Sequence, residues 1–170
     1  MLLASSANAI GGWDAVLRLA VATSLGAAVG IERELREREA GIRTHLLVSL
    51  GACLFTIVGA YGFHGFGSNV DPTRVAAQIV TGIGFLGAGA IIREGISVRG
   101  LTTAASIWLV AAVGMLVGSG LYLLAVFTTV LGFATLRWGR PPSRRRRLKS
   151  GEPSITGEPV IADEEEQIVD

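Results

Sequence analysis

The sequence predicts an all-α fold: a polytopic membrane helical bundle of about five transmembrane helices, N-terminus outside and C-terminus cytoplasmic. Three observations carry this. Half of the 170 residues are apolar and only 17% are charged, too few to clothe a soluble domain of this size. The apolar residues gather into five runs near membrane-crossing length. The basic residues fall almost wholly on one side of those runs.

The first run extends from Trp13 to Ile31 and the second from Thr44 to Phe63. The third spans Val75 to Ile92, the fourth Leu101 to Val117 and the fifth Leu121 to Leu136. At a rise of 1.5 Å per residue, runs of roughly 16–20 residues approach the thickness of the hydrocarbon layer. Residues 1–12 lack the basic stretch that opens a signal peptide, and the first run is already long enough to span. Residues 1–138 therefore read as one transmembrane domain. Residues 139–170 read as a cytoplasmic tail, basic and then acidic, with too few apolar residues to build a core.

Arginine sets the orientation. With the N-terminus outside, the inner segments hold thirteen of the fifteen basic residues, from Arg33 through Arg99 to the tail, and only Arg18 and Arg74 lie outward. Arg18 follows Asp14 by one helical turn and is expected to pair with it. Trp13 and Trp138 fall at span ends, as an aromatic belt requires, whereas Trp108 falls mid-span and is expected to pack. After Pro141 and Pro142, the run Arg144, Arg145, Arg146 and Arg147 suits anionic lipid headgroups.

Helix starts are marked in turn. Asp71 followed by Pro72 reads as an N-cap with proline at the first helical position of the third span. Thr44, and Thr102 or Thr103, are expected to cap the second and fourth. Gly118-Ser119-Gly120 reads as a tight turn between the fourth and fifth.

Glycine is abundant within the spans. Gly82, Gly84 and Gly87 fit a dinucleotide-binding expression, but no strand precedes them and the segment lies at membrane depth. Close helix packing is the better reading for these and Gly89, with a helix break as the alternative. It places the third helix at the bundle centre. Gly26 and Gly30 form a G-x-x-x-G pair in the first helix. Gln78, one turn below Arg74, is expected to hydrogen-bond across helices.

No carboxylate lies deep in any span, whereas coupled carriers usually place one there. Glu32, Glu34, Glu37 and Glu39 are interleaved with arginines. As a helix extension they give the i,i+4 pairs Glu32–Arg36, Glu34–Arg38 and Glu39–Arg43, a self-paired surface rather than a magnesium face. Arg43, Thr44 and His45 open the second helix, and Arg99, Thr102 and Thr103 the fourth. Arginine beside a helix N-terminus adds like charge to the dipole. Two resolutions stay open: an anion shared by both helix starts, or pairing with Glu32, Glu34 and lipid headgroups, with Arg33 in the same cluster. No nucleophile–base set, metal-ligand spacing or phosphate loop survives in context, so neither an enzyme nor a cofactor is expected.

Three stretches carry a family resemblance: Glu32-Arg33-Glu34 with Ala40 to Val48, Asp71 to Ala90, and Val98 to Trp108. In this order and spacing they resemble the MgtC/SapB family of bacterial inner-membrane proteins, over roughly residues 13–138. The resemblance implies a bacterial inner-membrane location and a magnesium-linked role. Family members are tied to growth in low magnesium, survival inside macrophages and inhibition of the membrane ATP synthase. Many carry a folded C-terminal cytoplasmic domain where this chain shows only the tail. Some have asparagine in the inner loop where this chain has Ser97 or Thr102. Two functions stand at this point. One is a regulatory protein that binds a membrane partner and modulates ion or energy homeostasis. The other is an oligomeric transporter or channel for magnesium or another ion. A homo-oligomer is expected, and nucleic acid is not a partner.

Overall fold

The computed structural model describes residues 10–63 and 71–139. The Arg144–Arg147 run and the acidic tail lie outside the described residues. Five α-helices and a short hairpin make up the fold: α1 (Gly12–Glu34), α2 (Ile42–Ile57), α3 (Pro72–Gly89), β1 (Ile92–Glu94), β2 (Ser97–Arg99), α4 (Leu101–Gly118) and α5 (Tyr122–Trp138). A π-helical turn, Val58–Gly62, extends α2. Counting that turn with α2, three helices are long and apolar enough to cross a membrane: Gly12–Glu34, Ile42–Gly62 and Leu101–Gly118. The apolar α5 is shorter, at 17 residues.

The core is built on α1, α2 and α4. Gly26 and Gly30 of α1 lie against α2: an added Cβ would stand 2.7 Å from the Ser49 Cβ and 2.6 Å from the Ile42 Cα, respectively. The expected G-x-x-x-G contact is therefore present. On α4, Gly114 abuts the Ser49 carbonyl, and a Cβ at Gly118 would meet Thr56 at 2.8 Å. Backbones this close gain dispersion contacts along their length, which is what drives helix association where no water is displaced. Ala22, Val29, Ala52, Cys53, Val110 and Val113 fill the space between, all buried.

These contacts fix direction. Gly30 meets the start of α2 and Gly26 the next turn, so α1 and α2 are antiparallel. His45 near the start of α2 meets Ser106 near the start of α4, and Gly118 meets Cys53 and Thr56 farther along, so α2 and α4 are parallel. A chain leaving the end of α2 must return to begin α4. The one long element between them is α3. It starts beside the end of α2, where Gly59 meets Val75, and finishes beside the start of α4, where Gly87 meets Ala104.

Several expectations are corrected. The third helix is peripheral: only Ile79 and Gly87 of its described side chains are buried. A Cβ at Gly82, Gly84 or Gly89 would meet nothing within 4 Å. The central close contacts are made by Gly114 and Gly118 instead. The third helix is continuous, but ends at Gly89 rather than Ile92. Ile92 opens an antiparallel hairpin whose tip Gly95 has φ +59°, and every hairpin residue is exposed. Trp108 is half exposed rather than packed.

Candidate functional site

The charged end of the bundle gathers the C-terminus of α1, the starts of α2 and α4, the hairpin and the C-terminus of α5. The helix of α1 stops at Glu34, and Glu37 takes a left-handed φ of 51°. Residues 35–41 therefore form a connection, not the expected helix extension. Only the first of the three expected i,i+4 pairs forms: Arg36 Nε lies 2.6 Å from Glu32 Oε1.

Glu32 and Arg33 are both buried. The Arg33 Nε donates to Glu32 Oε2 at 2.6 Å. Arg33 also donates to the Leu136 carbonyl at 3.4 Å, and Arg36 to the Arg137 carbonyl at 3.1 Å. Both carbonyls belong to the last turn of α5, where the helix dipole favours a cation. The pair thus neutralises itself and ties α1 to α5.

The helix starts that threonines were expected to cap are held differently. Gly41 and Gly100 are the N-caps of α2 and α4, with no side-chain cap of their own. Glu34 Oε2 accepts from the Ile42 N–H at 2.9 Å. Glu39 Oε2 accepts from the Thr103 hydroxyl at 3.0 Å. Each helix start takes a carboxylate, Glu34 from the last position of α1 and Glu39 from the connection after it, the sign that the dipole prefers. The Glu39 backbone N–H, the Thr103 hydroxyl, and the charges of Arg38 and Arg99 hold the Glu39 carboxyl below its ordinary range. Of the two resolutions left open by the sequence, these contacts are of the internal kind, with Glu34 at the start of α2 and Glu39 beside the start of α4. Arg43 is exposed, Thr44 is half-buried and Thr102 is exposed. Among the described residues no hydrogen bond or ion pair joins Arg43 to Arg99 or Thr103.

Beneath this layer lies a polar seam. His45 is fully buried; its Nδ1 stands 2.8 Å from the Gly41 carbonyl and its Nε2 3.0 Å from the Ser106 hydroxyl. The Ser106 hydroxyl also lies 2.8 Å from the Thr103 carbonyl, so its one proton serves either that carbonyl or His45 Nε2. Ser49 donates to the Ala22 carbonyl at 2.8 Å. A carbonyl only accepts, so Nδ1 carries the proton that faces Gly41. The seam connects α1, α2 and α4 through hydrogen bonds satisfied from within the bundle.

The opposite end is organised by Arg18. It pairs with Asp14 at 2.7 Å as expected, donates to the Gly118 carbonyl at 2.7 Å, and lies 5.7 Å from the centre of the Tyr61 ring. Asp71 caps α3 as expected, accepting from the Thr73 N–H at 2.9 Å. Gln78, expected to bond across helices, is exposed and has no hydrogen-bond partner among the described residues. Among the described residues no three His, Cys, Asp or Glu side chains converge as a metal site requires.

The paired helix starts lie in segments that match a known family: the MgtC family aligns with residues 19–145. The chain belongs to the MgtC family. It is 46% identical over 125 residues to the Escherichia coli K12 protein named "Putative magnesium transporter YhiD", covering 71% of this chain and 58% of that one. It is 50% identical over 123 residues to Protein MgtC of Brucella abortus, covering 72% and 50%. It is 50% identical over 118 residues to the uncharacterized protein slr0014 of Synechocystis, covering 69% and 49%. The chain thus spans about half the length of the curated relatives it matches. No solved structure matches it.

In this MgtC-family chain the sequence reading missed Ser49, Ser106 and Glu39 as connecting residues. Ser106 was visible only as a hydroxyl one turn beyond Thr102 and Thr103. Its importance depends on α2 and α4 being parallel, which no local pattern encodes. Glu39 was assigned to Arg43, one turn away, because the connection was read as helix.

Proposed function

We propose that this is a non-enzymatic, five-pass protein of the bacterial inner membrane. In this reading it modulates magnesium-linked ion or energy homeostasis by docking its cytoplasmic end onto a membrane partner. The carrying observation is the closed α1–α2–α4 core. Its interior is Ala22, Val29, Ala52, Val110 and Val113, and the buried His45, Ser49 and Ser106 side chains hydrogen-bond within it. Among the described residues of this core, the one buried carboxylate, Glu32, is already paired with Arg33 and Arg36, so a hydrated ion gains no free ligand there. The parallel course of α2 and α4 supports α3 as the return crossing and hence five passes. Arg33, Arg36, Arg38, Arg43, Arg93, Arg99 and Arg137 share one end of the bundle, which supports placing that end in the cytoplasm.

Arg43 and Arg99, without ion-pair partners among the described residues, are the groups this reading offers to a partner. A second reading, an oligomeric magnesium transporter, is favoured by the printed name of the Escherichia coli relative. Proteoliposomes decide between them. The docking reading expects no magnesium flux above empty vesicles, and recovery of a stoichiometric membrane protein with the chain after mild solubilisation. Saturable magnesium flux from the purified chain alone would replace docking with transport.

A further inference from the structure

Between α2 and α3 the bundle leaves a groove of about 540 Å³. The two helices meet beside its start, where Gly59 lies against Val75. Farther along, a Cβ at Gly51 or Gly82, one on each wall, would meet nothing within 4 Å. The walls are apolar, Val48 and Phe55 on α2 and Leu86 on α3 among them, and Gln78 is the one polar side chain among the described residues that line it. The chemistry along α3 is graded. Arg74, Gln78, Gly82 and Leu86 follow at intervals of four, which keeps them near one helix face. In that order they offer a cation, an amide, bare backbone and an alkyl chain. Arg74 and Gln78 are exposed and have no side-chain partner among the described residues.

We infer that this groove holds one glycerophospholipid of the outer leaflet, with its phosphate on Arg74, an ester carbonyl on Gln78 and one acyl chain running past Gly82 to Leu86. It rests on the five-pass reading, which puts α3 in the bilayer with its start outward. The order of groups along α3 is then the order of depths in the lipid: phosphate, glycerol esters, hydrocarbon. A guanidinium forms charge-assisted hydrogen bonds with a phosphate. The Gln78 amide has no water to turn to at that depth, and an ester carbonyl accepts its proton. The length suits a single leaflet. From Val75 to Leu86 is about 16 Å at 1.5 Å per residue, roughly half of the 30 Å hydrocarbon layer. The volume favours a chain over a partner's helix. A helix about 10 Å across and 16 Å long occupies roughly 1,200 Å³, more than twice the groove, so it would ride on the rim and leave the floor empty. The groove falls instead among pockets that enclose small ligands, about 300–1,000 Å³.

The test uses the full chain, purified in mild detergent, stripped of lipid and titrated with dioleoylphosphatidylglycerol under native mass spectrometry. Binding is expected to saturate at one lipid per chain. Dioleoylglycerol, which lacks the phosphate, is expected to bind about tenfold more weakly, the equivalent of one charge-assisted hydrogen bond. Arg74→Ala should weaken the phospholipid by the same factor and leave dioleoylglycerol unchanged, whereas Gln78→Leu should weaken both. Gly82→Phe fills the groove and should abolish binding; Val130→Phe on α5 should bind as the unmutated chain does. The two polar variants sit on an exposed face, so the test stands even if Gly82→Phe does not fold. Unsaturable binding, equal affinity for the two lipids, or full binding by a folded Gly82→Phe chain would overturn the site. So would a cross-link from the groove position Gly51→Cys to a second copy or to another protein, by giving the groove to a helix. Fast labelling of Phe85→Cys, on a Cys53→Ala background, by a membrane-impermeant thiol reagent would instead break the five-pass reading itself.

Discussion

Glu39 accepts a hydrogen bond from Thr103 at 3.0 Å across 64 residues of chain. It joins the connection after the first helix to the opening turn of the fourth. Its carboxyl is depressed by its own backbone N–H, then by Thr103, with Arg38 and Arg99 adding to the effect. A depressed folded-state pKa contributes stability above the unfolded value, lost as pH falls through the folded value. A spin label at Thr102→Cys should therefore become more mobile between about pH 5 and pH 3, where carboxylates of this kind protonate. Glu39→Gln should remove that transition. A label whose mobility is unchanged across the range would refute the coupling.

Glu32 and Arg33 should be inseparable. Removing one member of a buried ion pair leaves the other uncompensated, a loss of about 3–5 kcal/mol. Glu32→Ala is expected to cut thermal stability in detergent sharply. The double variant Glu32→Ala/Arg33→Ala should recover part of it, because the buried lone charge of Arg33 is gone and only the partly exposed Arg36 loses its partner. Additive losses in the double-mutant cycle would mean that the two do not act as a pair.

Ser106→Ala should cost about 1–3 kcal/mol by leaving the His45 Nε2 buried without a partner. Ser106→Thr keeps the hydroxyl and should cost less, provided the extra methyl is accommodated beside α2. Thermal unfolding followed by near-ultraviolet circular dichroism would rank the three chains. Equal midpoints for Ala and wild type would remove His45 from the seam.

Glycines should divide by location rather than by motif. Gly26→Val and Gly114→Val force side chains into the α2 backbone and should abolish accumulation of folded protein, beyond the usual 1–3 kcal/mol or so of overpacking. Gly82→Ala meets empty space within the protomer and should leave its unfolding midpoint unchanged. Monodisperse, stable protein from Gly114→Val would contradict the α2–α4 contact.

Arginine orientation gives a direct accessibility test. A cysteine at Ser119 should react with an impermeant reagent in intact cells. Cysteines at Arg38 and Ser97 should react only after permeabilisation. Reaction at Arg38→Cys in intact cells would invert the sidedness on which the docking reading depends.

Much of this architecture is legible in the sequence. Asp71-Pro72 marks a helix start through local chemistry alone, and Arg18 finds Asp14 because they are one turn apart. Gly26 and Gly30 announce a close contact that does occur. What such a stripe cannot say is which surface it meets: the third helix carries more glycine than the fourth, yet Gly114 and Gly118 lie at the centre. Capping was misread for a related reason. Thr44 and Thr103 stand where local caps belong, but Glu34, at the end of α1, and Glu39, in the connection after it, reach those helix starts along a path set by tertiary packing. The hairpin at 92–99 was too short for its alternation to register, and Ile91 and Ile92 prolonged the apparent span.

The stretch from Glu34 to Gly41 holds the starts of two helices that are synthesised far apart in time. During synthesis α1 and α2 can close on each other as soon as Gly62 has emerged, and Glu34 then already sits on the Ile42 N–H. The docking groove for α4, lined by Ser49, Ala52 and Thr56, is finished before α4 exists. Glu39 waits on its rim for the hydroxyl of Thr103. Biogenesis of this chain therefore has a built-in order, with an early hairpin acting as the mould for a later helix and α3 left at the periphery.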